Sequence, residues 1–295
     1  MMAFEVINPG LFACIQDAGR HGFMHQGVTP SGALDMHAFR WALQLLGEED
    51  GNAIEAMVGL KLRILQETTI AVTGADLDAR VDGVPVEIWR SFPLKAGQVL
   101  SFEKRIDGMR TYIAVKGGFD LPRVKGSVAC TLHEGVGAVL KKGDRLSFMP
   151  KITHQYRHLR AGAVPRYDQE ITTLRLLPTY QYNDFSDKAK DIFFSSVYKV
   201  TLQSDRMGYR LQGESVEGTG REILSEAIAL GSVQIPNDGQ PIVLLVQRQT
   251  IGGYPKMGVV LAEDCYRLAQ LGTGAKVRFE TVSLDICKSK NKENI

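Results

Sequence analysis

Hydrophobic positions along the chain fall mostly into short β-branched runs. "TTIAVTG" (68–74), "TYIAVKGG" (111–118), "VYKVTLQS" (197–204) and "PIVLLVQRQ" (241–249) each close on glycine or polar residues, the pattern of a strand that ends in a turn. Compact turn signals lie between such runs: "VDGVP" at 81–85, "KAGQ" at 95–98, "KKGD" at 141–144 and "PNDG" at 236–239. Strands at this spacing with glycine turns predict a mainly β chain of barrels or sandwiches. Helical periodicity is scarcer. Within 31–47, Ala33, Leu34, Met36, Ala38, Trp41, Ala42, Leu45 and Leu46 recur near helical spacing, with Ser31 as the expected N-cap and Gly47 as the expected stop. The segments 183–196 and 263–274 predict a second and a brief third helix.

The stretch 151–178 is polar and then strand-like, which places a boundary near 150–168. The expected organisation is an N-terminal subdomain over 1–155, a C-terminal subdomain over 165–285 and a tail over 286–295. That tail, "KSKNKENI" at its end, is charged and poor in apolar residues; a frayed terminus or a peptide-binding arm both fit it. "LKAGQVLSF" (94–102) and "LKKGDRLSF" (140–148) share L-K-x-G-x-x-L-S-F, and "LAQLGTGAKVRF" (268–279) repeats the idea. A glycine turn before an apolar strand and a true internal duplication both account for the match.

Composition narrows the function classes. Hydrophobic residues make up 44% of 295, and the formal net charge is +2, so a sizeable core is available and no basic block supplies phosphate contacts for nucleic acid. No apolar run is long enough for a membrane helix, and the start "MMAFEVINPG" lacks the basic and apolar regions of a secretory signal. The cysteines at 14, 130, 265 and 287 form no CxxC pair, which fits reduced thiols in a cytoplasmic protein and no zinc site.

Three blocks concentrate chemistry. "QDAGRHGFMHQGVTPSGALD" (16–35) carries Gln16, Asp17, Arg20, His21, His25, Ser31 and Asp35 among four glycines. It reads as a loop running into a helix N-terminus, either an anion site or a capped helix behind a structural loop. His21 and His25 are flanked by glycines, which argues against a metal pair. In "SDRMGYRLQG" (204–213), Asp205 and Arg206 follow a strand; Arg206 either clamps an anion or pairs with Asp205 at the surface. In "GSVQIPNDGQPIVLLVQRQTIGGYPKMG" (231–258), Gln234, Asn237, Gln240, Gln247 and Gln249 crowd around a turn and a strand. Period-two geometry puts Gln247 and Gln249 on one face and Arg248 on the other. Gly252, Gly253 and Tyr254 would let a ligand approach the backbone closely, beside Thr250 and Lys256. An edge hairpin with polar faces is the alternative. The chain has no GxxxxGK[ST], GxSxG or HExxH motif.

"PGLFACIQDAGRHGFMHQGVTPSGALD", "AVTGADLDARVDGVPV…PLKAGQVLSF…YIAVKGGFD" and "SDRMGYRL…GSVQIPNDGQPIVLLVQRQTIGGYPKMG" occur in order across residues 5–280. Together they resemble the biotin-dependent carboxyltransferase-like family. Its members include the C subunit of bacterial 5-oxoprolinase, the regulator KipA, proteins labelled allophanate hydrolase subunit 2, and the carboxyltransferase region of urea carboxylase. The resemblance implies a cyclophilin-like β-barrel architecture in two subdomains with a few short helices. It also implies a cyclophilin-like B-type partner subunit, with the functional cleft at the shared surface. The implied activity is ATP-dependent cleavage of 5-oxo-L-proline to L-glutamate, with ATP bound by or shared with a partner and a third subunit taking part in ring opening. Transfer of CO2 from carboxybiotin to an amide or urea is the alternative, with biotin supplied by another chain. A non-catalytic regulator that binds a kinase-inhibitor subunit is a third reading.

On this reading Gln249 and the Gly252–Gly253 backbone polarise an amide, and Arg206, Arg248 or Lys256 neutralises a carboxylate or phosphate. Gln234, Asn237, Gln240, Thr250, Tyr254 and Asp205 are the remaining expected ligand contacts in that half, and Arg20, Ser31 and Asp35 in the other. The chain departs from the family at Gln247 (often Asp), Ile251 (often Thr) and Val128, which stands where "GSRST" has Arg and this chain reads "GSVACT". Two charges are thereby lost, which leaves room for a regulatory member.

Overall fold

The computed structural model describes residues 2–148, 151–153, 155–220 and 223–283; the predicted tail and Cys287 lie outside the described residues. The chain divides into two compact units, one of residues 1–23 and 30–168, the other of residues 24–29 and from 169 onward.

The first unit contains β1 (Met2–Pro9), β2 (Ala13–Gln16), α1 (Met36–Leu45), β3 (Ala53–Ala56), β4 (Leu60–Ile64), β5 (Thr68–Asp76), β6 (Ala79–Val81), β7 (Val84–Pro85), β8 (Arg90–Leu94), β9 (Val99–Phe102), β10 (Asp107–Val115) and β11 (Arg145–Ser147). They form a six-stranded sheet, β11-β1-β4-β9-β6-β7, and a five-stranded sheet, β2-β3-β10-β5-β8. Phe4, Val6, Leu62, Leu100 and Phe102 of one sheet share a core with Ile54, Ile70, Val72 and Ile113 of the other. Alternate positions of the five-stranded sheet, Ala53, Ala71 and Ala114, pack with Phe39 and Leu43 of α1. The inner strand β5, between β10 and β8, is therefore covered on both faces. That explains why it reads as a continuous apolar run rather than an alternating one.

The N-cap of α1 is Asp35, whose carboxylate accepts from Ala38 N at 3.0 Å. Ser31, the expected cap, instead has φ 54° and donates its hydroxyl to Cys130 O at 3.0 Å. The cap assignment is corrected because two residue types that cap equally well, Ser31 and Asp35, bracket Gly32, Ala33 and Leu34, and spacing alone does not choose between them. Gly47 ends the helix at φ 70°, a left-handed conformation that glycine adopts without a Cβ clash.

The second unit contains β12 (Ile171–Pro178), a 3-10 turn (Tyr180–Asp184), α2 (Asp187–Ser195), β13 (Tyr198–Val200), β14 (Gly208–Gln212), β15 (Glu226–Ala227), β16 (Ser232–Gln234), β17 (Ile242–Leu244), β18 (Ile251–Gly252), β19 (Lys256–Val260), α3 (Ala262–Leu268) and β20 (Lys276–Thr281). Seven of these strands close a barrel in the order β12-β19-β16-β17-β14-β13-β20, while β15 and β18 make a separate ribbon. A ring with an odd number of strands cannot alternate direction throughout. Here the β12–β20 pair is parallel, with Ile171 opposite Lys276 and Leu176 opposite Thr281, and the other six pairs are antiparallel.

The expected strand 241–249 is shorter than its apolar run. β17 stops at Leu244, and the chain turns at Val246–Gln247, where Gln247 N donates to Arg206 O at 2.9 Å and Arg248 N to Leu245 O at 3.1 Å. Hydrophobicity continues because Leu245 and Val246 are buried, and burial by itself does not set strand geometry. The matching segments at 94–102 and 140–148 share one turn: Lys95 N donates to Gln98 Oε1 at 2.8 Å, and Lys141 N to Asp144 Oδ2 at 2.7 Å. Gly97 and Gly143 adopt φ 90° and 89°.

Arg175 of β12 grips α3. Its side chain donates to Asp264 Oδ2 at 2.8 Å and Oδ1 at 2.9 Å, its backbone N–H to Oδ2 at 2.8 Å, and Nη2 to Glu263 at 3.0 Å. These carboxylates hold the guanidinium pKa above its ordinary value, with Asp264 the larger influence. Asp264→Ala removes a buried carboxylate and three of the four hydrogen bonds of half-buried Arg175, leaving it Glu263 alone, and we expect a loss of about 2 kcal/mol, read as a lower urea midpoint with unchanged slope. A change under about 0.5 kcal/mol, the range of ordinary surface substitutions, would show that this pair does not support the barrel.

Candidate functional site

One polar cluster of the second unit is built from β15, β16, β18, β19 and the 3-10 turn. Gln234 of β16 lies opposite Lys256 of β19 in the antiparallel ladder, so their side chains leave the same face. Across the ribbon, Glu226 of β15 lies opposite Gly252 of β18. Lys256 is buried, and its ammonium pairs with Glu226 Oε1. Gln181 is also buried; it donates to Glu226 Oε1 at 3.0 Å and accepts from Lys256 N at 2.8 Å. Tyr180 donates its hydroxyl to Glu226 Oε2 and accepts from Gln181 Nε2 at 2.9 Å. Burial pushes the Lys256 pKa below its ordinary value, and the adjoining carboxylate works in the opposite direction.

Gly252 sits at the centre of this group. A Cβ there would meet Ile228 Cδ1 at 2.7 Å, Gln234 Nε2 at 3.0 Å and Gln249 Nε2 at 3.6 Å. Two side-chain amides therefore approach a bare backbone. Gln234 Nε2 is buried and has no hydrogen-bond partner among the described residues. Leaving a buried donor unmade costs about 1–3 kcal/mol, the mark of a group aimed at something other than its own chain. Continuing along the backbone, Gly253, Tyr254 and Asn237 line a cavity of about 740 Å3 with Thr219 and Pro236.

The other residues singled out in the 204–258 blocks have different surroundings. Arg248 is buried, donating Nε to Ile228 O at 2.9 Å and Nη1 to Leu245 O at 3.2 Å, with Nη2 3.9 Å from Met24 Sδ. Burial pushes its pKa down. Gln240 brackets Gly213, accepting from its N at 2.8 Å and donating to its O at 3.3 Å. Asp205 accepts from Met207 N at 2.8 Å and Gly208 N at 3.2 Å. Arg206 and Thr250 are half-buried, and Gln249 is exposed. Cys265 is fully buried, and burial pushes its thiol pKa far up, which leaves no thiolate there.

In the first unit, the two ends of the glycine-rich block carry buried polar side chains, Gln16, Asp17 and Arg20 before its exposed middle and Ser31 and Asp35 after it. Asp17 accepts from Gly19 N at 2.8 Å, Ser127 Oγ at 2.7 Å and Val128 N at 2.8 Å. Arg20 is 1% exposed and donates to Thr131 Oγ1 at 2.6 Å and to Ala129 O. Ser31 and Gln16 both donate to Cys130 O. Asp35 is spent on the α1 cap and accepts from Tyr167 Oη at 3.3 Å. These groups hold the segment 127–131, and the capped-helix alternative describes them. The side chain of Val128 joins the hydrophobic core. Among the described residues no group of His, Cys, Asp and Glu is arranged to hold a metal ion, and no helix is long and apolar enough to cross a membrane.

Sequence reasoning singled out Gln234, Gln249, Gly252 and Lys256, and the structure brings these four together. It missed Tyr180, Gln181 and Glu226. Tyr180 and Gln181 lie in "LPTYQYNDF", where polar aromatics between a strand and a helix were the available signal; "LSEAIALG" around Glu226 offered none.

The mainly β chain with its closed barrel has the cyclophilin-like architecture of carboxyltransferase-type proteins. The chain belongs to the carboxyltransferase domain family, subdomains A and B, which it matches over residues 26–281. It is 38% identical to the 5-oxoprolinase C subunit of Escherichia coli strain K12, over 95% of this chain and 92% of that one. It is 36% identical to the corresponding 5-oxoprolinase C subunit of Haemophilus influenzae, over 96% and 92%. The crystal structure of the K. lactis urea amidolyase superposes with a TM-score of 0.91 at 25% identity, covering 99% of this chain but only 19% of that enzyme. The structure of TTHA0988 gives 0.85 at 32% identity, covering 95% of this chain and 56% of that one.

The surroundings of two glycines predict opposite tolerance. At Gly258 a Cβ would lie 2.4 Å from Leu176 Cδ2 and 2.6 Å from the Leu177 carbonyl oxygen, so Gly258→Ala should cost about 3 kcal/mol, the upper range of overpacking. At Gly252 the nearest atoms are tips of flexible side chains, and Gly252→Ala should cost about 1 kcal/mol or less. Urea unfolding of both variants checks the order; a Gly252→Ala loss equal to that of Gly258→Ala would mean that the ribbon and its amides are as rigid as the barrel wall.

Proposed function

We propose that this chain is the C-type subunit of an ATP-dependent 5-oxoprolinase and that the cluster around Gly252 receives the lactam. The observation that carries the reading is the buried Gln234 Nε2, a donor with no partner among the described residues, beside Gln249 and the uncovered backbone of Gly252. The names of the two bacterial relatives support it. A lactam presents one carbonyl oxygen and one N–H. Gln234 Nε2 is the donor for that oxygen, where charge grows as the carbonyl carbon is attacked, and a donor aimed at developing charge stabilises the transition state more than the ground state. Lys256 adds positive charge nearby. Opening the lactam breaks its C–N bond and adds water across it to yield L-glutamate, with ATP hydrolysis supplying the driving force. ATP binds to or is shared with a cyclophilin-like B-type partner subunit, and a third subunit takes part in ring opening.

A second reading, carboxyl transfer from carboxybiotin to an amide or urea, is supported by the superposition of 99% of this chain on 19% of the urea amidolyase. Reconstitution separates the two. With B-type and ring-opening partners, ATP-dependent glutamate release should appear, insensitive to avidin; avidin-sensitive carboxylation would favour the second reading. The chain alone should give negligible turnover.

Gln234→Met should lower kcat in the reconstituted complex by about 10²–10³, the effect of removing one preorganised donor, while its melting temperature holds or rises because an unmade buried donor disappears. Gln249→Ala, at an exposed position, should change stability by less than about 0.5 kcal/mol. Wild-type kinetics in Gln234→Met would overturn the lactam site.

A further inference from the structure

In the second unit, three donors converge on a carboxylate that belongs to the chain itself. Tyr180 Oη, Gln181 Nε2 and Lys256 Nζ all contact the two oxygens of Glu226. Two of the donors are firmly placed. Lys256 begins the barrel strand β19, and Gln181 is 3% exposed and tied to Lys256 N. The acceptor is held differently. Glu226 lies on β15, whose only ladder among the described residues is two residue pairs with β18, Glu226 opposite Gly252 and Ala227 opposite Ile251. Its chain neighbours are open to solvent: Leu224 is 91% exposed, and Ser225 and Ala227 are exposed. Beside this group Gln234 Nε2 stands buried and without a partner among the described residues.

We propose that Tyr180, Gln181 and Lys256 form a carboxylate-binding site and that Glu226 occupies it as an internal stand-in, which the carboxylate of a small ligand displaces. Charge explains why the exchange is feasible. Lys256 is buried, and an uncompensated buried ammonium is strongly unfavourable. Replacing one carboxylate with another keeps it paired at both ends of the exchange. A hydroxyl, an amide N–H and an ammonium also match the several lone pairs that a carboxylate presents. Gln234 adds a second recognition point, so the preferred ligand joins a carboxylate to an amide or lactam carbonyl. The identity of that ligand as 5-oxo-L-proline rests on the function proposed above; the carboxylate site does not. An internal occupant also lowers apparent affinity. If Glu226 fills the site nine-tenths of the time, an external carboxylate binds about tenfold more weakly than the open site allows.

The test uses the full chain and three probes: acetate, 5-oxo-L-proline and 2-pyrrolidinone, the lactam without a carboxylate. Binding is followed by calorimetry, and the reactivity of the Lys256 amine by acylation and peptide mass mapping. Glu226→Ala should bind acetate about tenfold tighter than wild type, and acetate should protect Lys256 from acylation in that variant. Lys256→Met in the same background should abolish the gain. Glu226→Gln keeps the side-chain length without the charge and should show the same direction, so a folding defect in Glu226→Ala does not decide the result. Equal acetate affinity in wild type and both Glu226 variants, or binding that survives Lys256→Met, overturns the carboxylate site. Acetate binding that rises as expected, with 5-oxo-L-proline no tighter than acetate, upholds the site and overturns the lactam reading alone. Tighter binding of 5-oxo-L-proline than of either acetate or 2-pyrrolidinone supports both.

Discussion

Seven strands must close one barrel in the second unit, and that constraint governs everything the unit presents. An odd ring needs one parallel pair, and the pair here joins the first barrel strand to the last, β12 to β20. Parallel partners cannot be joined by a tight hairpin, so the whole intervening chain lies between the strands that seal the ring. The seal is reinforced at β20 by the stacked rings of Phe193 of α2 and Phe279, 4.3 Å apart, and at β12 by the four hydrogen bonds of Arg175 to α3. Once the ring is closed, β16 and β19 have a set register, and Gln234 has no choice but to stand opposite Lys256.

The polar cluster combines groups that a purely structural solution would avoid. Lys256 is buried with a single carboxylate partner from a two-residue strand, and Gln234 buries an amide donor that bonds to nothing among the described residues. Both features cost stability. Gly252 makes them possible: any side chain there would fill the space into which the amides reach. Sites that break the ordinary rules of polar satisfaction are where ligand chemistry is expected to complete the network.

The first unit shows the opposite use of similar residue types. Asp17, Arg20 and Ser31 are as polar as the cluster around Glu226, yet their hydrogen bonds run to the backbone and side chains of 127–131. They convert two irregular segments into a rigid pair that needs no regular strand. Val128, where the family often has Arg, contributes its methyl groups to the core and its N–H to Asp17; the loop survives the loss of that charge because its anchor is the backbone.

Local chemistry was readable in the chain itself. The mainly β class, the glycine turns and the three helices follow from spacing and residue type, because turns and strand periodicity are short-range properties. The importance of Gln234, Gly252 and Lys256 was legible for the same reason: amides, bare backbone and a cation crowd one stretch of sequence. Tertiary structure alone decided the rest. It ended β17 at Leu244, because an apolar run is equally compatible with a strand and with a buried turn. It buried Gln247 and Arg248 together and left Gln249 exposed, so the shared face that period-two alternation implies for the two glutamines does not form, because the chain turns there and is not a strand. And it brought Tyr180, Gln181 and Glu226 to Lys256 from positions up to 76 residues away. No pattern along the chain encodes such a meeting; it exists only because closing the barrel and pairing the β15–β18 ribbon fix where those distant side chains must end.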